Sequence, residues 1–205
     1  MSFQNYKRGV LERMQTDDRS KAGGIDILIR PLCEAFNAMD DYVTLSSCSG
    51  RICLLHQTAR NQKNQCEWPI TTHELANHVD FAVQYERLIY DDDTEYSNER
   101  LLTLRLEDII LHVACANIDL AKKLMNKFSQ IGYKKQGIIS VKNNRAVVEL
   151  RGSNHYSMPL IIGNDQIVPI EAFESLIRLC NDRMTTGHTK LAELTEHIVG
   201  ILSES

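Results

Sequence analysis

Leu102-Thr103-Leu104-Arg105-Leu106-Glu107, followed after one residue by Ile109-Ile110-Leu111-His112-Val113-Ala114-Cys115, decides how this chain folds. The first six residues alternate apolar and polar, as in a strand with one face in a core and one in water. The next seven are apolar except for His112, which fits a central strand covered on both faces. Together with Ala116 they form the longest apolar stretch, far short of the roughly 20 residues of a membrane helix. The chain is therefore built on a sheet, and no membrane partner is expected.

Toward the C-terminus, Asp119 to Ile131 reads as a helix with Gly132 at its C′ position. Ile138–Val141 and Ala146–Leu150 flank Lys142-Asn143-Asn144-Arg145, a hairpin with an Asn-Asn tip. Leu160 to Val168 reads as a second hairpin. Helix follows from Glu171 to Leu202, with a break expected at Thr185-Thr186-Gly187.

Toward the N-terminus, Phe3, Tyr6, Val10, Leu11 and Met14 repeat at helical spacing. A second helix runs through Ile25, Leu28, Leu32, Ala35, Phe36 and Met39, and Pro31 either starts it or kinks it. Tyr42–Leu45 and Ile52–His56 read as strands. Gln57 to Cys66 is a polar connection. Thr71-Thr72-His73-Glu74 has the form of a capping box, predicting a helix through Leu75, Val79, Ala82 and Val83 to about Arg87. Helices and strands neither alternate as βαβ units nor segregate. The expected fold class is α+β, one domain over residues 1–205 with a mixed or antiparallel sheet covered by helices. A mobile acidic loop is expected at about residues 91–100.

The chain has 205 residues and a formal charge of -4, but the charge is segregated. Asp80 to Asp108 holds nine acids and three bases, a net -6; Lys122 to Arg151 holds eight bases and one acid, a net +7. A basic block attracts polyphosphate even in an acidic protein, although such runs commonly only solvate a surface. Met1 to Arg8 has no apolar segment after its basic pair, so no secretory signal is expected and the location expected is cytoplasmic. The six cysteines form no Cys-x-x-Cys pair and read as reduced thiols, with Cys33, Cys115 and Cys180 in the core. No metal site is expected.

Three clusters can carry chemistry. Ser46-Ser47-Cys48-Ser49-Gly50-Arg51 is too small and polar for a core, and its backbone N–H groups can converge on an anion while Arg51 adds a planar fork. The same residues equally suit a tight turn, and Cys48 is open to a nucleophile reading. Asp18-Arg19-Ser20-Lys21-Ala22-Gly23-Gly24-Ile25-Asp26 offers Lys21 to phosphate and Asp26 as an acceptor of hydrogen bonds or protons. His112 is either a satisfied core histidine or a base. Neither a Gly-x-Gly-x-x-Gly after a strand nor a Walker loop is present.

These clusters resemble the third tRNA wybutosine-synthesizing protein family. Ser46-Ser47-Cys48-Ser49-Gly50-Arg51-Ile52 is similar to its central signature, and the Asp18–Asp26 loop to its Ser-Lys-Gly-Asp motif. Ile110–Val113, Gly132–Ile138, Val148–Ser153 and Met158–Leu160 are similar to its later segments, and Asn181 falls where the family carries an asparagine. The departures are Leu104 in place of an aromatic residue, Glu107-Asp108 in place of Glu-Pro, and Gly152-Ser153 in place of Ser-Ser. The resemblance implies a methyltransferase not built on the Rossmann fold. It implies S-adenosylmethionine as donor and N4 of the wyosine-type guanosine next to the anticodon of phenylalanine tRNA as acceptor. On that reading Ser47, Cys48, Ser49, Gly50 and Arg51 hold the donor. Ser20, Lys21, Lys134, Lys135 and Arg151 contact tRNA, and Asp26 or His112 takes the proton. The alternatives are a non-catalytic RNA-binding module using residues 122–151, and a thiol enzyme using Cys48.

Overall fold

Nine strands and five helices account for the regular structure of the computed structural model, which describes residues 2–16, 24–58, 66–90 and 100–203. Of the acidic loop expected at about 91–100, residues 91–99 lie outside the described residues and Arg100 opens a strand; residues 18–23 of the N-terminal motif also lie outside the described residues. The strands form two antiparallel sheets, and the described residues group into two compact units. Among the described residues no helix is long and apolar enough to cross a membrane.

The first unit comprises residues 1–49, 108–153 and 187–205. Its elements are helix α1 (Phe3–Thr16), helix α2 (Arg30–Ala38) and strand β1 (Tyr42–Cys48). The second unit supplies β2 (Arg51–Thr58), β3 (Cys66–Thr72), α3 (His78–Ile89) and β4 (Arg100–Glu107). The first then adds β5 (Ile110–Cys115), α4 (Ile118–Gln130), β6 (Lys135–Lys142) and β7 (Arg145–Arg151). Its sheet runs β1-β5-β7-β6, so the apolar run of β5 is interior, as expected. One face is packed by α2, α4 and the last third of the C-terminal helix. There Leu111, Val113, Val148 and Leu150 meet Phe36, Leu124, Phe128, Leu191 and Leu194. The other face is covered at one end by α1, where Val10 packs on Val43 and Ala114. Asn117 caps α4 by accepting from Leu120 N–H, and Pro31 starts α2 rather than kinking it. Asn143 and Asn144 have φ of 52° and 67°, the paired left-handed conformation of a two-residue hairpin turn.

The second unit comprises residues 50–107 and 154–186. It adds β8 (Tyr156–Ile162) and β9 (Asp165–Gln166), in the order β3-β2-β4-β8-β9. Ile52, Leu54, Leu102, Leu104, Leu106 and Leu160 on its sheet pack against Phe81, Tyr85 and Leu88 of α3 and Phe173, Ile177, Cys180 and Met184.

Four local expectations are corrected. The predicted capping box is the end of β3: Thr72, not Thr71, accepts the Glu74 N–H, and α3 starts six residues later than expected, behind Asn77. Leu75 precedes α3 instead of lying in it, and Val79 and Val83 are exposed because α3 buries the stripe Phe81, Tyr85, Leu88. The expected break at Thr185–Gly187 is absent, and the last helix, α5 (Ile170–Ser203), is continuous. Thr185 and Thr186 turn their hydroxyls back onto the Asn181 and Asp182 carbonyls, so they are accommodated within the helix. Ser46, Ser47 and Cys48 belong to β1, paired with His112, Leu111 and Ile110, leaving only Ser49 and Gly50 between β1 and β2.

Candidate functional site

The register of the first unit's sheet sets two rows of side chains on the face that α1 begins to cover. Ser46, His112, Glu149 and Gly137 form one row across β1, β5, β7 and β6. Cys48, Ile110, Arg151 and Lys135 form the next. Alternation along each strand puts these residues opposite Leu111, Val113 and Leu150, which face the core. Ser47 therefore points the other way, to where its hydroxyl lies against the Cys33 thiol. The small polar residues of the central motif do not converge on one point; alternate members serve opposite faces.

The first row is joined by hydrogen bonds. His112 Nδ1 lies 2.6 Å from Ser46 Oγ, and His112 Nε2 lies 2.9 Å from Glu149 Oε2. Arg151 grips the same carboxylate twice, Nε on Oε1 at 2.8 Å and Nη2 on Oε2 at 3.0 Å. Those bonds from Arg151, then from His112, hold the Glu149 carboxyl below its usual range. An ionised carboxylate only accepts, so Nε2 of a neutral His112 carries the ring hydrogen and Nδ1 accepts from Ser46. Ser46 is exposed, whereas the His112 and Glu149 side chains are only 21% and 22% exposed.

A second cluster in this unit centres on Asp26. Its Oδ2 accepts from Ser49 N–H at 2.9 Å and from Ser49 Oγ at 3.0 Å. The loop N–H expected to hold a ligand carboxylate thus holds one of the chain's own. Asp108 lies close by Gly152, where an added Cβ would sit 2.1 Å from the Asp108 carboxylate. Burial pushes His188 below the usual histidine value, against Asp108 and Asp26, which pull it up. Burial pushes the Tyr133 hydroxyl up, with Asp108 and Glu193 adding to the rise. Tyr133 Oη and His188 Nε2 are buried without a hydrogen-bond partner among the described residues.

In the second unit, Gly50 has φ +113°, a conformation that favours glycine, and its carbonyl lies 2.9 Å from His73 Nδ1. Arg51 Nε donates to Glu107 Oε2 at 2.6 Å, and its guanidinium sits 4.5 Å above the Trp68 ring. The Arg51 fork expected for an anion is thus set against a carboxylate of its own unit.

The expected residues are therefore partly gathered. Asp26 meets Ser49, and His112 reaches Arg151 through Glu149. Cys48 and Lys135 share the same face. Lys134 is exposed, and Ser20 and Lys21 lie outside the described residues. The basic block is divided: Lys122 and Lys123 lie on the outer side of α4, across the sheet from Lys135 and Arg151. Cys33, Cys53, Cys115 and Cys180 are buried, and burial raises each thiol, to about 12 for Cys53 and Cys115 and about 11 for Cys180. Sequence reasoning singled out Ser46 only as part of a loop, and it did not single out Glu149, Asp108 or His188 as candidates. Only the two-residue spacing of Glu149 from Arg151 and of Ser46 from Cys48 hinted at shared faces.

The model of the family described as Methyltransferase TYW3 matches residues 5–200 of this chain. The chain belongs to this family. It is similar to the tRNA wybutosine-synthesizing protein 3 homolog of Xenopus laevis, 26% identical over 93% of this chain and 72% of that one. A relative from Archaeoglobus fulgidus, named tRNA(Phe) 7-((3-amino-3-carboxypropyl)-4-demethylwyosine(37)-N(4))-methyltransferase, is 28% identical over 88% of this chain and 86% of its own length. A solved structure from Pyrococcus horikoshii superposes with a TM-score of 0.81 at 25% identity, covering 96% of both chains. The TYW3 methyltransferase fold of this chain is therefore α+β and not Rossmann-like.

A methyltransferase needs a methyl donor, and the Asp26 cluster suits a cationic, hydroxyl-bearing one. Two carboxylates favour positive charge nearby. The unpartnered Tyr133 Oη and His188 Nε2 are buried polar atoms of the kind that a bound polar molecule satisfies.

Proposed function

We propose that this chain methylates N4 of the wyosine-type guanosine beside the anticodon of phenylalanine tRNA, with S-adenosylmethionine as donor. The family match over residues 5–200 carries this reading. When bound, the donor supplies an electrophilic methyl group on a sulfonium centre. Asp26 and Asp108, with Tyr133 and His188, are the residues that would hold it. Ser49 fixes the Asp26 carboxylate in place. The remaining work is to position the acceptor and to remove the proton of its ring nitrogen. His112 stands on the face of the sheet that also carries Lys135 and Arg151, which supports reading it as a base on a basic face. Of the tyrosines that could stack on the base, Tyr133 is buried, while Tyr42 and Tyr156 are partly buried against hydrophobic clusters.

The test is transfer of label from S-adenosylmethionine to phenylalanine tRNA carrying the unmethylated tricyclic precursor. The same tRNA lacking the tricyclic base serves as control. Label in the first and not the second is expected. No transfer to the precursor-bearing tRNA overturns the reading.

A further inference from the structure

We propose that Ser46 Oγ is the atom that takes the substrate's proton, with His112 behind it as proton store and Glu149, clamped by Arg151, as the positioning residue. This rests on the reading of the chain as an N-methyltransferase. Both nitrogens of the His112 ring are engaged, Nδ1 by Ser46 and Nε2 by Glu149. The imidazole therefore presents no unoccupied nitrogen to a substrate, and the exposed end of the chain of hydrogen bonds is the Ser46 hydroxyl. The 2.6 Å contact is short enough for direct proton passage from Oγ to Nδ1.

The step balances as follows. The acceptor N–H bond breaks and its proton passes to Ser46 Oγ, while the Ser46 proton passes to His112 Nδ1. The nitrogen keeps the pair of the broken N–H bond and uses it for the new N–C bond; the carbon–sulfur pair leaves with the sulfur. His112 is then an imidazolium, with its Nε2–H on the Glu149 carboxylate and the Arg151 bidentate contact keeping that carboxylate ionised and oriented. The proton returns to water from the exposed serine. Gly137, the fourth member of the row, contributes no side chain, and a Cβ there would meet open space. The row thus ends in bare backbone where a planar base can approach.

The experiment uses the full chain with Ser46→Ala, Ser46→Thr and Glu149→Gln. It reads methylation of precursor-bearing tRNA, affinity for that tRNA, and the 15N resonances of His112. Ser46→Ala is expected to lower kcat by about 100-fold or more, with KM and tRNA affinity little changed. Ser46→Thr, which keeps a hydroxyl, restores most of that loss. In the wild type the 15N resonances report hydrogen on Nε2, and Glu149→Gln loses that single tautomer. Wild-type kcat in Ser46→Ala overturns the proposal, as does a wild-type His112 with hydrogen on Nδ1. Absence of methyl transfer by the wild type overturns the proposed function instead. The tautomer measurement still decides whether the relay exists.

Discussion

Ser49 gives both its backbone N–H and its hydroxyl to a single oxygen of Asp26, 23 positions earlier in the chain. Ser49 is only 2% exposed, so no water stands ready to replace that carboxylate. Asp26→Ala leaves a buried N–H and a buried O–H without an acceptor, at a cost of about 1–3 kcal/mol. Asp26→Asn keeps one acceptor oxygen and is expected to cost less. Urea unfolding of the two variants checks the order. An unchanged midpoint in Asp26→Ala would show that the pair contributes nothing.

Gly152 and Asp108 both stand where the resemblance expects another residue, and the structure puts them in contact. The Ile109 carbonyl accepts from Gly152 N–H at 2.8 Å, and the Asp108 carboxylate fills the space above the glycine. A methyl group at 152 meets that carboxylate at 2.1 Å. Gly152→Ala is expected to destabilise by about 1–3 kcal/mol through overpacking. Adding Asp108→Ala removes the obstacle. The double variant is expected to be more stable than the sum of the two single effects, which thermal unfolding of all four proteins measures.

Much of this architecture was legible because its signals are local. The alternation of β4, the apolar run of β5, the Asn143-Asn144 tip and Gly132 after α4 each encode their own geometry within a few residues. Strand β3 was not legible. Pro69 and two threonines suggest a turn or cap, yet β3 is an edge strand, where a missing N–H is tolerated. His112 stood out as the polar residue of an apolar strand, but the Ser46–His112–Glu149 row was not legible. Its members are brought together by the order β1-β5-β7, which depends on packing between segments far apart in sequence. The same limit hid Arg51's partner, Glu107, 56 residues away.

Asn181 matched the family as a lone helical asparagine, and its work is structural. Its Oδ1 accepts from Ala76 N–H at 2.8 Å and its Nδ2 donates to Ala76 C=O at 2.9 Å. The side chain replaces a strand partner for the segment leading into α3. Asn181→Leu leaves both backbone groups unpaired and is expected to cost about 1–3 kcal/mol. Asn181→Asp keeps the acceptor and loses the donor. Hydrogen exchange at the Ala76 amide checks this directly: fast exchange in Asn181→Leu and retained protection in Asn181→Asp.

His188 makes stability depend on pH. Its folded-state value lies below the ordinary 6.5, chiefly because burial disfavours the charged ring. The unfolded chain therefore binds a proton at higher pH than the folded chain does. Stability is highest when the ring is neutral in both states, and it falls as pH drops through 6.5 toward the folded value. The groups bearing on the ring are Asp108 and Asp26, whose charges oppose burial and limit the effect. His188→Gln removes this contribution. Urea midpoints are expected to fall less for His188→Gln than for the wild type between about pH 7 and pH 5. Parallel curves would show that the ring titrates alike in both states.

Lys134 and Lys135 are exposed at the start of β6, and Lys135 stands beside Arg151 in the second row of the polar face. If the tRNA backbone crosses this face to bring its modified base near Ser46, it runs past Lys135 and close to its neighbour Lys134. Each phosphate neutralised contributes roughly 0.7–0.9 to the slope of log affinity against log salt. Replacing both lysines with alanine is expected to lower that slope by about 1–2 and to weaken binding most at low salt. Donor affinity is expected to hold, because the residues proposed to hold the donor, Asp26, Asp108, Tyr133 and His188, are untouched by the change. Lys122→Ala with Lys123→Ala is the matched control, since those residues lie on α4 across the sheet. If the control pair weakens tRNA binding as much as Lys134 and Lys135 do, the tRNA does not approach by this face. Filter binding of phenylalanine tRNA at several salt concentrations separates the two.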